Sequence, residues 1–290
     1  MYENVLLPTD GSEEAVPAID HGLALASRFG ATVHALSVVD LPYAREDFRD
    51  ESAWADVYEV EEREAERAVE AVETRARETD ADLRVVSAVP HGSPTRVILE
   101  YVDDNDVDLV AMGTHGRSRL RRFFLGSTTD GVVRASPAPV LTLRRGTETP
   151  RTAYEDVLVA TDGTPGSTRA TAQAVDIAAA YGATLHVAYV VETRHARSVA
   201  LREFLGQQGE RELDRVRARA AGEGVRCSTA LLDGVPHEEL LAHAAGEGVD
   251  LVVVGTHGRS GVERLAVGSV AMRVVQASDL PVLTVRTLDA

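Results

Sequence analysis

The chain has 290 residues, of which 46 are acidic and 30 basic, and its formal net charge is −16. Every basic residue is an arginine, which excludes the P-loop, Schiff-base and protein-kinase chemistries that depend on a lysine. The acidic balance is expected to repel nucleic acid and anionic membranes. It is also typical of halophilic proteins, in which dense salt screens the self-repulsion.

The hydropathy of the chain predicts two ordinary soluble domains. Hydrophobic residues make up 44% of the sequence, which is enough for two cores at about 100–200 residues per domain. No run of about 18 apolar residues predicts a transmembrane helix. The first residues, MYENVLLPTDGSEEA, lack the basic start and the apolar stretch of a signal peptide. We therefore expect a cytoplasmic protein.

Strands and helices alternate in the prediction for the first half. A short apolar strand at 5–9 precedes a helix, for which Ser12 is the expected N-cap and Gly30 the expected end. Apolar periodicity and turn residues predict the other elements. These are strands at 32–39, 83–89, 108–112 and 139–143, and helices at 58–79, 94–102 and 128–135.

The second half repeats the first. Residues 107–118 read VDLVAMGTHGRS and residues 249–260 read VDLVVVGTHGRS, with ten of the twelve positions identical. VLLPTDGS at 5–12 returns as VLVATDGT at 157–164. The second copy is shorter in its middle, where it lacks part of the segment 41–58. We therefore predict two domains, 1–146 and 153–290.

Near-continuous apolar strands that alternate with helices predict an α/β fold with a parallel sheet covered on both faces. Right-handed crossovers then give a doubly wound, Rossmann-like domain. Such sheets bind ligands at the carboxyl ends of their strands. The strands expected in the second half lie near 157–161, 184–191, 226–232, 250–254 and 281–286.

A glycine pattern follows the fourth strand of each copy. Gly113 and Gly116 precede nine residues and then Gly126-Ser127, and the second copy has Gly255, Gly258, nine residues and Gly268-Ser269. Glycine lets the backbone approach an anion closely, and the helix that follows presents free N–H groups and a favourable dipole. The pattern favours a phosphate site. The alternative is a tight turn with a helix cap and no ligand.

These residues resemble the ATP-binding members of the universal stress protein family, which share the Gly-x-x-Gly, nine residues, Gly-Ser/Thr pattern. An Asp after the first strand and a Val near the end of the second also match the family in both halves. The resemblance covers nearly all of 1–145 and 154–287. It implies two tandem domains with the adenine nucleotide alpha hydrolase-like fold, each with a five-stranded parallel sheet of order 3-2-1-4-5.

The resemblance also implies where a nucleotide would bind. Adenine would lie near Asp10 and Val38, ribose near Asp10, and the phosphates on the glycine pattern. The implied residues of the first domain are Asp10, Val38, Met112, Gly113, Gly116, Gly126, Ser127 and Thr128. Those of the second are Asp162, Val190, Val254, Gly255, Gly258, Gly268, Ser269 and Val270. The implied ligand is ATP, with Mg²⁺ or Mn²⁺ bridging its phosphates and no metal ligand from protein side chains.

The two copies differ near the phosphates. Val270 replaces Thr128 and removes one hydroxyl. The second loop has only Arg259 and Arg264, whereas the first carries Arg117, Arg119, Arg121 and Arg122. These arginines either grip a triphosphate or a partner's carboxylates, or they form a solvated loop face. We predict that the first site binds a triphosphate more tightly. We interpret His115 and His257 as positioning the loop backbone rather than as acid–base groups.

The leading functional hypothesis is a regulatory protein that binds ATP in a stress response without efficient turnover. The alternatives are a slow ATPase of the same fold and an interaction scaffold that binds no nucleotide. The family further implies pairing through the last strand of each domain. This predicts an intramolecular pseudo-dimer of the two domains, or a homodimer, with no nucleic acid or membrane partner.

Overall fold

The computed structural model describes residues 1–40, 51–114, 125–144, 153–192, 198–256 and 268–286, and for 51–56 it describes the backbone only. The chain divides into two compact units, Met1–Arg145 and Gly146–Ala290. No helix among the described residues is long and apolar enough to cross a membrane.

The first unit alternates strands and helices through its described residues. Its strands are β1 (Asn4–Pro8), β2 (Thr32–Leu36), β3 (Val85–Ala88), β4 (Leu109–Gly113) and β5 (Val140–Leu143). Its helices are α1 (Val16–Phe29), α2 (Glu51–Thr79), α3 (Pro94–Asp104) and α4 (Ser127–Ala135).

The second unit repeats this order over the residues described for it. Its strands are β6 (Asp156–Ala160), β7 (Thr184–Glu192), β8 (Arg226–Gly234), β9 (Leu251–Gly255) and β10 (Val282–Val285). Its helices are α5 (Pro165–Tyr181), α6 (Val199–Gly222), α7 (Pro236–Glu247) and α8 (Ser269–Ala277).

The sheet of each unit is parallel and has the predicted order 3-2-1-4-5. In the first unit β1 pairs with β2 and β4, β2 pairs with β3, and β4 pairs with β5. In the second unit β6 pairs with β7 and β9, β7 pairs with β8, and β9 pairs with β10. The predicted α/β class and strand order are therefore confirmed.

Helices cover both faces of the first sheet, so its central strands β1 and β4 are almost wholly buried. Leu7 of β1 lies against Gly22 of α1 on one face, while His34 of β2 contacts Tyr101 of α3 on the other. The α1 and α2 helices contact each other, as do α3 and α4. Residues at the centre of β1, such as Leu6, are fully buried.

The long second helix begins earlier than predicted. Periodicity predicted a helix from residue 58, whereas α2 begins at Glu51. Part of the segment 41–58, some of which the second copy lacks, thus forms the first turns of this helix. Residues 41–50 lie outside the described residues. The charged residues Glu51 and Asp56 interrupt the apolar pattern of this stretch without preventing a helix.

An aspartate before the fourth strand of each unit holds the start of the first strand. Asp108 Oδ2 accepts hydrogen bonds from the Glu3 and Asn4 amides at 2.7 and 2.9 Å. Asp250 Oδ2 accepts from the Glu155 and Asp156 amides at 2.8 and 3.0 Å. The repeated VDLV sequence therefore serves strand alignment in both units.

Asp250→Ala is expected to lower the free energy of unfolding by about 2–3 kcal/mol, because two amides of the β6 start lose a charged acceptor. Asp250 itself is only 8% exposed, so water replaces the carboxylate poorly. Urea denaturation in high salt measures the change. Asp250→Asn keeps an acceptor oxygen and should lose less. Equal losses in the two variants would contradict this role for the carboxylate.

His34 forms a buried polar contact within the first unit. Its Nδ1 lies 3.0 Å from the Tyr101 hydroxyl and its Nε2 lies 3.3 Å from Asn4 Oδ1. Burial, and secondly the positive charge of Arg84, lower the pKa of His34 below its ordinary value of 6.5. The folded state therefore disfavours the protonated ring.

The stability of the first unit should fall as the pH drops through this range. Because the pKa of His34 is lowered by folding, the unfolded chain takes up the proton first, so stability is lost as the pH falls below about 6.5. Urea unfolding between pH 8 and pH 5 tests this against His34→Gln, which does not titrate there. The expected result is that the wild type loses more stability than the variant on acidification. Parallel pH profiles would contradict it.

Candidate nucleotide site

A cavity of about 350 Å³ lies at the carboxyl ends of the strands in the first unit. This volume falls within the range of small-molecule sites. Seven of the eight residues that the resemblance implied for the first unit line it: Asp10, Val38, Met112, Gly113, Gly126, Ser127 and Thr128. The eighth, Gly116, lies outside the described residues, as do His115 and the arginines of the loop that follows.

Further lining residues were not predicted. Thr9, Ser37, Glu61, Ala65 and Thr129 also border the cavity. The sequence could have indicated Thr9, because the Thr-Asp-Gly sequence recurs at 161–163. No sequence pattern indicated Glu61 and Ala65, because they lie on α2 and reach the cavity only through the packing of that helix.

The loop after β1 presents Asp10. The Thr9 amide donates to the Leu36 carbonyl at 2.8 Å and so extends the pairing of β1 with β2. Thr9 Oγ1 then accepts from the Gly11 amide at 3.1 Å, and Asp10 Oδ1 accepts from the Ser12 amide at 3.0 Å. Gly11 has a φ of 76°, which a residue with a side chain adopts only with strain. The carboxyl group of Asp10 is thereby fixed at the cavity wall.

The predicted N-cap at Ser12 is wrong. The α1 helix begins at Val16 after Ala15, without a side-chain cap. The reason is the position of proline, which favours the first turn of a helix because its missing N–H is not needed there. Pro17 lies in the first turn of α1. In the second unit, by contrast, Thr164 directly precedes Pro165 and does cap α5.

The opposite wall of the cavity is the start of α4. Gly126 is the N-cap residue, and no side chain caps this helix. The Gly126 amide donates to the Thr114 carbonyl at 2.8 Å, and Thr129 Oγ1 donates to the Gly113 carbonyl at 2.8 Å. These two bonds fix the helix against the end of β4. Its first-turn amides and its dipole favour an anion here.

The charges of the cavity are unevenly distributed. Asp10 follows β1, Asp40 follows β2 and Glu61 lies on α2. The start of α4 is instead hydrogen-bonded to the end of β4. Burial raises the pKa of Asp40 above its ordinary value. The β2 side therefore offers acceptors for hydroxyl and amino groups, and the β4 side offers N–H donors. Among the described residues, no three His, Cys, Asp or Glu side chains form a metal site.

The second unit brings its counterpart residues to the same edge of its own sheet. Val190 lies near the end of β7, Val254 and Gly255 end β9, and Gly268 is the N-cap residue of α8. Asp162 follows β6, and Ser269 and Val270 begin α8. The Gly268 amide donates to the Thr256 carbonyl. Gly258 lies outside the described residues.

Known proteins resemble one or both units of the chain. A model of the universal stress protein family matches residues 1–144 and 153–286. A universal stress protein of Mycobacterium tuberculosis is 31% identical over 213 residues, which cover 71% of this chain and 70% of that protein. A crystal structure of a universal stress protein from Archaeoglobus fulgidus has a TM-score of 0.75 and 23% identity, with 99% of this chain and 97% of that chain covered. A universal stress protein solved in complex with cAMP is 31% identical, with a TM-score of 0.37 and 47% of this chain and 99% of that chain covered.

Proposed function

Because the chain belongs to the universal stress protein family, we propose that its first unit binds ATP and that the protein acts as an ATP-responsive regulator under stress. The observation that carries this proposal is the cavity. Residues from four separate parts of the chain, around Asp10, Val38, Met112 and Gly126, line one space at the carboxyl edge of the sheet. Doubly wound domains bind ligands at this edge.

The distribution of charge supports one orientation of the nucleotide. Triphosphate oxygens are repelled by the carboxylates of Asp10 and Glu61 and attracted by the uncapped start of α4. The adenine amino group and the ribose hydroxyls are donors, and carboxylates accept from them. The base and the ribose therefore lie toward Asp10 and Val38, and the phosphates toward Ser127 and Thr128.

A divalent cation fits this arrangement through the phosphates. Mg²⁺ retains several waters and is commonly held by phosphate oxygens rather than by an all-protein cage. We therefore include Mg²⁺ or Mn²⁺ with ATP in the proposal, bridging phosphate oxygens without a side-chain ligand. When bound, the cation would neutralise part of the triphosphate charge beside a strongly acidic chain.

Thermal unfolding with a series of ligands tests the proposal. In Mg²⁺ and high salt, ATP at a hundredfold excess over its Kd should raise the Tm by roughly 5–10 °C. Adenosine should raise it less, because it lacks the phosphates that α4 receives. Inorganic triphosphate is the matched control without base or ribose. A Tm that millimolar ATP leaves unchanged would refute nucleotide binding, and equal shifts with triphosphate and ATP would refute recognition of adenosine.

A further inference from the structure

The two units have different residues at two positions that line the cavity of the first unit. Ser37 and Ala65 both line the first cavity. The repeat SVVD/YVVE places Tyr189 at the position of Ser37. The helices align through their contacts with the Thr-Asp-Gly loops, because Ala68 lies beside Gly11 and Glu212 beside Gly163. The residues three positions before Ala68 and Glu212 are Ala65 in α2 and Gly209 in α6, and they therefore correspond to each other.

Tyr189 occupies the corresponding space in the second unit. The residue is 3% exposed. A Cβ added to Gly209 would lie 2.7 Å from Cδ1 of the Tyr189 ring and 2.6 Å from Cδ1 of Leu231. The ring therefore lies directly on the backbone of α6. By the alignment, this ring lies at the place that corresponds to Ser37 and Ala65, two lining residues of the first cavity.

A carboxylate lies beside the second Thr-Asp-Gly loop as well. A Cβ on Gly163 would be 2.8 Å from Cδ and 3.0 Å from Oε1 of Glu212, whose side chain is 16% exposed. Arg215 pairs with Glu212 at 2.8 and 2.9 Å. The first unit has the uncharged Ala68 here. Glu212 and its ion-pair partner Arg215 thus place a large side chain beside the second Thr-Asp-Gly loop, where the first unit has only a methyl group.

Two hydroxyl groups are missing on the phosphate side. Thr128 and Thr129 line the first cavity, and their counterparts at the start of α8 are Val270 and Ala271. The bond from Thr129 Oγ1 to the Gly113 carbonyl therefore has no equivalent at Ala271. Among the residues described at the two helix starts, the second unit therefore lacks the Thr128 hydroxyl, which could donate to phosphate.

We infer that the chain binds one nucleotide, in the first unit, and that Tyr189 and Glu212 exclude nucleotide from the second. This inference rests on the proposed function, since it requires that the first cavity binds ATP. Tyr189 removes space between strand and helix, and Glu212 narrows the crevice beside the Thr-Asp-Gly loop. The two units of the tandem repeat thus become one binding and one non-binding unit.

Counting bound nucleotide tests the inference on the full chain. Equilibrium dialysis with radiolabelled ATP and Mg²⁺ should give one ATP per wild-type chain at saturation, and the affinity of this one site should fall about 10- to 100-fold in Asp10→Ala. The double variant Tyr189→Ser/Glu212→Ala should give two. Two ATP per wild-type chain, or one per chain of the folded double variant, would overturn the inference. A wild-type count of zero would refute the proposed function instead.

A reciprocal variant of the first unit tests the inference even if Tyr189→Ser/Glu212→Ala does not fold. Ser37→Tyr/Ala65→Gly gives the first unit the pair found in the second, so the ring should fill the cavity and weaken ATP binding at least tenfold. Circular dichroism and the Tm check that the variant is folded. The single variant Ala65→Gly is the matched control and should bind ATP nearly as the wild type does. Wild-type affinity in the folded double variant would overturn the role given to the ring.

Discussion

Replacing Gly255 with alanine is expected to lower the free energy of unfolding by about 3 kcal/mol. A Cβ at this position would lie 2.7 Å from the Gly166 carbonyl carbon and 2.8 Å from both the Gly166 oxygen and the Ser167 nitrogen. All three atoms are backbone of α5, so relief requires a shift of the helix rather than of a side chain. Overpacking of this kind typically costs 1–3 kcal/mol. Urea denaturation followed by circular dichroism measures the loss.

Gly246→Ala is the matched control for this substitution. Gly246 lies in α7, and no atom is within 4 Å of its added Cβ. Alanine there should stabilise the protein by up to about 1 kcal/mol, because glycine costs that much inside a helix. Equal effects of the two substitutions would contradict a close backbone approach at Gly255. A large loss confined to Gly255 means that this motif glycine is required for packing, whether or not a ligand binds beside it.

Asp10→Ala is expected to weaken ATP binding by about 10- to 100-fold. A hydrogen bond to a charged group contributes about 1.5–3 kcal/mol, and each 1.4 kcal/mol corresponds to a factor of ten in Kd. In the proposed orientation the Asp10 carboxylate accepts from the nucleoside. Calorimetric titration of ATP into the variant in Mg²⁺ and high salt gives the Kd. An unchanged Kd would show that the Asp10 side chain does not contribute to ATP binding.

Asp10→Asn separates the two roles of this side chain. The amide oxygen can still accept from the Ser12 amide, so the loop should keep its turn. The negative charge is lost, and the affinity for ATP should fall less than in the alanine variant. If both variants bind equally weakly with native circular dichroism, the charge rather than the loop accounts for the effect. If only alanine weakens binding, the loop conformation accounts for it.

The sequence predicts the sheet well because the sheet follows from local patterns. Apolar runs such as 5–9 and 108–112, separated by helix-period segments, are enough to give parallel strands, and the family resemblance supplies their order. The glycine pattern likewise points to the edge where Gly113 and Gly126 meet the cavity. Such features are encoded within about twenty consecutive residues.

What the sequence misses depends on contacts between distant residues. In the sequence, Ala65 and Gly209 look like ordinary helix positions. Only the packing of α2 and α6 on their sheets shows that they lie near Ser37 and Tyr189, respectively. The strand-aligning role of Asp250 is hidden for the same reason, because its partners lie about 95 residues earlier. Ser12 has the residue type of an N-cap, but the position of Pro17 determines where α1 begins.

Calorimetric titration of ATP into the wild-type protein, with Mg²⁺ and in high salt, tests the central claim most directly. The account predicts a saturable binding isotherm that GTP does not reproduce at equal concentration, since the proposed site recognises adenine. The absence of any heat of binding up to millimolar ATP would contradict the claim. The cavity of the first unit would then be a crevice of the fold, and the glycine pattern a set of structural turns.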